Sequence, residues 1–174
     1  MPGTDNEITC CFTGHRPEKF PFIYGVNAET STLLLALTRI IHAVYEKGFR
    51  HFISGMCIGF DLWAAEIVSE LREAHPDILL EAALPFDGYG WNLQNEERAL
   101  FLTALERCDR VTTLCSHYSR SCFQYRNQYM VDRSSLVIAA YNGTPGGTRN
   151  TVSYALRVGC PVRNILLPDE ADPV

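Results

Sequence analysis

No stretch of this 174-residue chain approaches the ~18 consecutive apolar residues that a membrane-spanning helix needs, so no membrane partner is expected. Its first residues, Met1-Pro-Gly-Thr-Asp-Asn-Glu7, lack the basic and apolar regions of a secretory signal, and a cytoplasmic location is expected. Positive charge is in short supply: 15 Lys+Arg against 20 Asp+Glu give a net charge of −5. That balance argues against nucleic acid as a partner. The seven cysteines make no even, regularly spaced framework and read as reduced thiols in mostly apolar surroundings. Cys115, His117 and Cys122 fit no common zinc spacing, and no metal site is expected.

Familiar motifs are missing as well. Without G-x-x-x-x-G-K-[ST] the chain is not a P-loop triphosphatase. Without G-x-G-x-x-G after the first strand, ordinary NAD or FAD binding has no direct support. Without G-x-S-x-G there is no serine-hydrolase elbow. No internal repeat, low-complexity segment or Gly/Ser-rich linker divides the chain. One domain over residues 1–174 is expected, with its core at about 8–167, a short polar N-terminus and an acidic tail over residues 168–174.

What is present is an alternation. Ile8–Phe12, His51–Ser54, Ile78–Leu84, Arg110–Leu114, Leu136–Ala140 and Arg163–Leu167 are short and β-prone. Between them Glu29–Lys47, Phe60–Ala74, Trp91–Cys108, Cys122–Arg133 and Thr148–Val158 carry helical spacing, with Ser121 placed as an N-cap. A loop with two prolines runs through residues 13–22. The pattern predicts an α/β, Rossmann-like, doubly wound and mostly parallel sheet of about six strands, with helices on both faces.

In such a sheet, ligands bind beyond the carboxyl ends of the strands. The loop Tyr141-Asn-Gly-Thr-Pro-Gly-Gly-Thr-Arg-Asn150 leaves one of those ends. Gly143, Gly146 and Gly147 remove side chains that would keep a ligand from the backbone, and a helix starting near Thr148 adds free N–H groups and a positive dipole end. Together they make an anion site, with phosphate as its commonest occupant. Gly14, Gly55 and Gly59 fall on the same edge. Arg16, between His15 and Pro17, suits phosphate or carboxylate. His15 either contacts a ligand or only braces its loop. Asp61 is either a helix cap or dipole partner, or a carboxylate for sugar hydroxyls or a base edge. Asn127 shares an inward stripe with Phe123, Met130, Val131 and Ser134 and needs hydrogen-bond partners, from backbone or from a ligand. Arg126 and Asp132 lie on the same helix. Phe86, Tyr89 and Trp91 either stack on a base or belong to the core.

Thr13-Gly-His-Arg-Pro17, Ser54-Gly-Met-Cys-Ile-Gly-Phe-Asp61 with Trp63-Ala-Ala-Glu66, Arg126-Asn-Gln-Tyr-Met-Val-Asp132, and Tyr141-Asn-Gly-Thr-Pro-Gly-Gly-Thr148 with Asn150 resemble the YpsA-like family. That family belongs to the SLOG superfamily, named for the DNA-processing protein DprA (Smf) and the LOG phosphoribohydrolases. The resemblance implies a Rossmann-like fold and a site for a nucleotide or nucleotide-derived, ADP-ribose-like ligand, held for sensing or carrying. It assigns that site to Thr13, Gly14, His15, Arg16, Ser54, Gly55, Gly59, Asp61, Arg126, Asn127, Asp132, Asn142, Gly143, Gly146, Gly147, Thr148 and Asn150. No cofactor is required.

LOG relatives cleave a nucleotide N-glycosidic bond with a glutamate that would fall at Ser153 here. No Asp or Glu occurs from Tyr141 through Pro168, so a LOG-like phosphoribohydrolase would have to draw its carboxylate from Asp61 or Asp132. DprA-like single-stranded DNA binding is a further alternative. By analogy with self-associating relatives, a homodimer is expected; no protein partner is named by the sequence.

Overall fold

The computed structural model describes residues 8–16 and 28–166. Residues 17–22 of the proline-containing loop, Leu167 and both chain ends lie outside the described residues. The elements run β1 (Thr9–Gly14), α1 (Ala28–Glu46), β2 (His51–Ser54), α2 (Phe60–Ala74), β3 (Leu79–Leu84), α3 (Asn95–Glu106), β4 (Arg110–Thr113), α4 (Cys122–Asp132), β5 (Leu136–Ala140), α5 (Gly147–Arg157) and β6 (Val162–Asn164). Among these helices none is long and apolar enough to cross a membrane.

The six strands form one sheet in the order β4-β3-β2-β1-β5-β6, with every neighbouring pair parallel. This is the expected Rossmann-like α/β fold. The two-residue period of the strands divides the core. Cys10 and Phe12 of β1 join Phe52, Leu80 and Ile138 beneath α1 and α2, where Leu33, Leu37, Ile41 and Val44 form the buried stripe of α1. Cys11 joins Ile53, Ala83 and Val137 on the opposite face, covered by Met130 and Val131 of α4 and Ala155 of α5. All seven cysteines are free thiols, four of them buried.

Local corrections have local causes. The third helix starts at Asn95 rather than Trp91. Gly88 (φ 80°), Gly90 (φ 90°) and Asn95 (φ 51°) hold the preceding chain in left-handed turns, and Trp91 is 75% exposed. A Cβ at Gly90 would also overlap the Phe101 ring. Ser121 precedes α4 but makes no capping bond; its hydroxyl pairs with Ser119 Oγ at 3.1 Å. β6 ends at Asn164, three residues before the expected Leu167.

One buried polar group was not anticipated. Glu81, in the middle of β3, is fully buried. Its carboxylate contacts His51 Nε2 at 2.8 Å and accepts hydrogen bonds from Thr112 Oγ1 and Tyr129 OH, both at 2.7 Å.

Strand order reverses between β1 and β5. β1 turns outward through β2 to β4, whereas β5 continues to β6 on its other side. Gly14 lies opposite Ala140 in register, and the His15 N–H donates to Ala140 O at 3.3 Å just past the strand ends. Beyond this point the β1 and β5 loops separate, which opens a crevice between them.

Candidate functional site

A cavity of about 400 Å³ occupies that crevice. The β1 end supplies Thr13, Gly14, His15 and Arg16. The β2–α2 loop supplies Cys57 and the first turn of α2 supplies Asp61, α4 supplies Phe123, Arg126, Asn127 and Met130, and α5 supplies Gly147 and Thr148. Four sequence-distant segments thus converge on one hollow.

At its base lies Arg126, 4% exposed. Its guanidinium donates from Nη1 to Gly55 O and from Nε to Asn127 Oδ1 (2.7 Å), and Nη2 points to Cys57 Sγ at 3.6 Å. Burial opposes its charge, but Cys57, Asp61 and Tyr89 together raise its pKa, so it remains a cation. Among the described residues no carboxylate lies within salt-bridge distance of it. A buried guanidinium without a direct acidic partner costs stability unless an anion completes it.

Asp61 is the one acidic residue among the described residues lining the cavity, and it is 6% exposed. Burial raises its pKa to about 6, against the opposing pull of Arg126, the Cys57 N–H and Arg16. Its Oδ2 accepts from Cys57 N–H at 3.4 Å. Gly59, not Asp61, is the α2 N-cap residue, and no side chain caps that end. The loop leading into α2 is braced by Ser54, whose hydroxyl donates to Asp61 O (2.8 Å) and accepts from Met56 N–H (3.2 Å). Met56 sits at φ 59°, a left-handed conformation that a non-glycine residue adopts at a cost.

The opposite wall is the bare start of α5. Its N-cap residue, Gly146 (φ 146°), offers no side chain to the first N–H groups, so they are available to an anion. Asn142 shapes the loop leading there: its Oδ1 accepts from Thr144 N–H (3.1 Å) and from Thr144 Oγ1 (2.8 Å). With its proton given to Asn142, the Thr144 hydroxyl accepts from His15 Nε2 at 3.4 Å. His15 is buried and tilted against Tyr141 at 5.5 Å, so it braces the β1 and β5 loops against each other as well as lining the cavity.

The glycines divide by role. At Gly14 a Cβ would strike the Phe60 ring, and at Gly55 it would collide with the Arg126 guanidinium and Asp61 Oδ2. Internal packing therefore requires glycine at both positions. Gly147 differs: its φ is not left-handed, and a Cβ there would meet nothing within 4 Å. Neither backbone nor packing explains its glycine. Gly14→Ala is therefore expected to lose about 1–3 kcal/mol by overpacking, seen as a lower urea midpoint.

Not every expected residue reaches the cavity. Ser54, Gly55, Asn142, Gly143 and Gly146 are not among the residues that line it. Gly59 and Asn150 line neighbouring hollows. Asp132 sits at the far end of α4, where it accepts from Tyr154 OH at 2.7 Å. Cys57 and Phe123 were not singled out as site residues, although Phe123 stands one turn before Asn127. Trp91 is exposed, while Phe86 and Tyr89 join an edge-to-face aromatic cluster with Phe123.

Comparison with known proteins bears on the family and the fold. UPF0398 proteins from Bacillus thuringiensis (strain Al Hakam) and Bacillus cereus (strain AH820) are each 28% identical over 152 residues, covering 84% of this chain and 82% of theirs. Among solved structures, DNA processing protein A (DprA) from Streptococcus pneumoniae aligns with a TM-score of 0.58 at 15% identity, covering 91% of this chain and 50% of that one. DprA from Helicobacter pylori, described for its single-stranded DNA binding mode, aligns at 0.57 and 15%, covering 91% and 65%. The chain therefore spans only half to 65% of those proteins' length, and the likeness is one of fold. The family model for YpsA, described as the YspA SLOG family, matches residues 10–157, and the chain belongs to that family.

Proposed function

We propose that the cavity binds the phosphate and sugar of a nucleotide or nucleotide-derived ligand, in a sensing or carrying role. The observation that carries this reading is the pairing of a buried, cationic Arg126 with the uncapped N-terminus of α5 across one hollow. Both favour an anion, and among the described residues neither is met by a carboxylate in direct contact. Arg16 adds positive charge at the rim, Asp61 suits sugar hydroxyls, and Phe123 offers a ring face. About 400 Å³ falls within the usual range of ligand sites.

The DprA fold neighbours favour a second reading, in which the same phosphate-binding wall holds one nucleotide of a single strand. A steep fall of affinity with salt separates strand binding from capture of a free nucleotide. Base release in the presence of a nucleoside monophosphate, lost in Asp61→Asn, would instead make the protein an N-glycosidase.

The test is thermal unfolding with inorganic phosphate, 5′-AMP and ADP-ribose, for the wild type and Gly147→Val. A ligand at about 100 times its Kd adds roughly 2.7 kcal/mol, which is about 5–10 °C for a domain of this size. Gly147→Val is expected to fold with unchanged stability, within about 1 kcal/mol, and to lose the ligand shift. No shift with any ligand, or a shift retained in Gly147→Val, would overturn the proposal.

A further inference from the structure

The main cavity does not end at Asn127. A second hollow of about 570 Å³ follows the seam between α4 and α5 and shares Phe123, Asn127 and Gly147 with the first. Asn127 is the joint. Its Oδ1 is fixed by Arg126 Nε at 2.7 Å, which leaves its amide N–H groups to serve another acceptor.

The chemistry of this hollow is unlike that of the chain as a whole. The net charge is −5, yet no carboxylate is among the described residues that line it. Gln124 and Gln128 stand one turn apart on α4, and Asn150, Tyr154 and Arg157 follow at one-turn steps on α5. Among the described residues, the carboxamides of Gln124, Gln128 and Asn150 take no hydrogen-bond partner, and Arg120 and Arg157 form no ion pair. The Arg157 guanidinium lies 5.1 Å over the Tyr154 ring. Asp132, at the end of α4, accepts from the OH of the lining residue Tyr154 at 2.7 Å.

We infer that this hollow holds a second nucleoside, joined through phosphate to the one in the main cavity. The inference rests on the nucleotide reading of that cavity. Carboxamides match the paired donors and acceptors of base edges, aromatic faces accept stacked bases, and arginines without acidic partners counter phosphate. The lack of carboxylates spares the linking phosphate from repulsion. The ligand is then a two-unit or longer molecule, not a mononucleotide.

Isothermal titration of the full chain tests this with 5′-AMP, NAD, 5′-phosphorylated diadenylate and a 5′-phosphorylated oligothymidylate. At least one two-unit ligand is expected to bind tenfold or more tightly than 5′-AMP. Preference for NAD identifies a pyrophosphate-linked dinucleotide, whereas preference for the diadenylate or oligothymidylate identifies a phosphodiester strand. The double variant Gln124→Glu/Gln128→Glu places two carboxylates on the hollow's α4 wall, away from the residues that line the first cavity. It should abolish that tenfold advantage while 5′-AMP affinity stays within twofold; Arg120→Ala should reduce it independently. Two-unit ligands binding no tighter than 5′-AMP, or a double variant that weakens both classes equally, would overturn the second compartment and leave the first standing. Failure of every ligand to bind would overturn both.

Discussion

Asp61→Asn is expected to make the protein more stable at pH 7.5, not less. Burial raises the Asp61 carboxyl to about 6 in the folded chain, about two units above an unfolded aspartate. Ionising it in place therefore costs roughly 3 kcal/mol. The sign follows from where the proton sits. Between about pH 4 and 6 the folded chain holds a proton that the unfolded chain has lost, so the wild type loses stability as pH rises through that window. Asparagine keeps the acceptor for Cys57 N–H and removes the charge. Urea unfolding at pH 7.5 should show a gain of about 2–3 kcal/mol that shrinks toward zero near pH 4. A loss of stability at pH 7.5 would mean that Arg126 depends on the carboxylate more than desolvation opposes it. Binding should move the other way: inorganic phosphate binds as well or better, while the preference for nucleotide over phosphate is lost. A residue kept at a cost to stability and needed for ligand selection marks a functional site.

Glu81→Gln should produce an effect of opposite sign. Burial alone would raise this carboxyl, but hydrogen bonds from His51, Tyr129 and Thr112 outweigh it and bring the pKa down to about 2. Against about 4.5 for the unfolded chain, the ionised form contributes roughly 3 kcal/mol. That contribution is complete above pH 4.5 and is lost as pH falls toward 2. The glutamine variant offers one acceptor oxygen where two were used and places an NH2 against hydroxyl and imidazole donors. It should lose about 2–4 kcal/mol at pH 7, a large part of the ~5–15 kcal/mol of an ordinary domain. The wild-type–variant gap should narrow as pH falls below about 4.5 and close only near pH 2. A gap as large at pH 3 as at pH 7 would show that packing, not charge, is what Glu81 supplies. Ligand affinity should be unchanged, because Glu81 does not line the cavity.

Glu81 also shows where reading the sequence falls short. Ile78-Leu-Leu-Glu-Ala-Ala-Leu84 is legible as a buried strand, and a carboxylate inside it was the available signal. Its partners could not be read, because Tyr129 lies 48 positions away and Thr112 31. The same holds for Gly55. A glycine after a strand looks like a ligand contact, but the group it admits is Arg126, 71 residues further along. Asp132 misled in the other direction. It shares a helix with Arg126, yet six residues at ~1.5 Å each carry it roughly 9 Å down the axis, away from the ligand edge.

The sequence by itself determined the order of strands and helices, the parallel α/β class and the edge on which the cavity opens. These follow from local periodicity, glycine-rich turns and the short reach of strand–helix connections. Only the tertiary structure decided that β5 lies beside β1, which sets the α5 N-terminus opposite Arg16. It alone turned Arg126 inward beneath that crevice, buried Asp61 beside it and separated the glycines that admit a neighbour from Gly147, which leaves space open. The physical reason is that burial, charge pairing and cavity shape belong to contacts between distant segments, which no local pattern encodes.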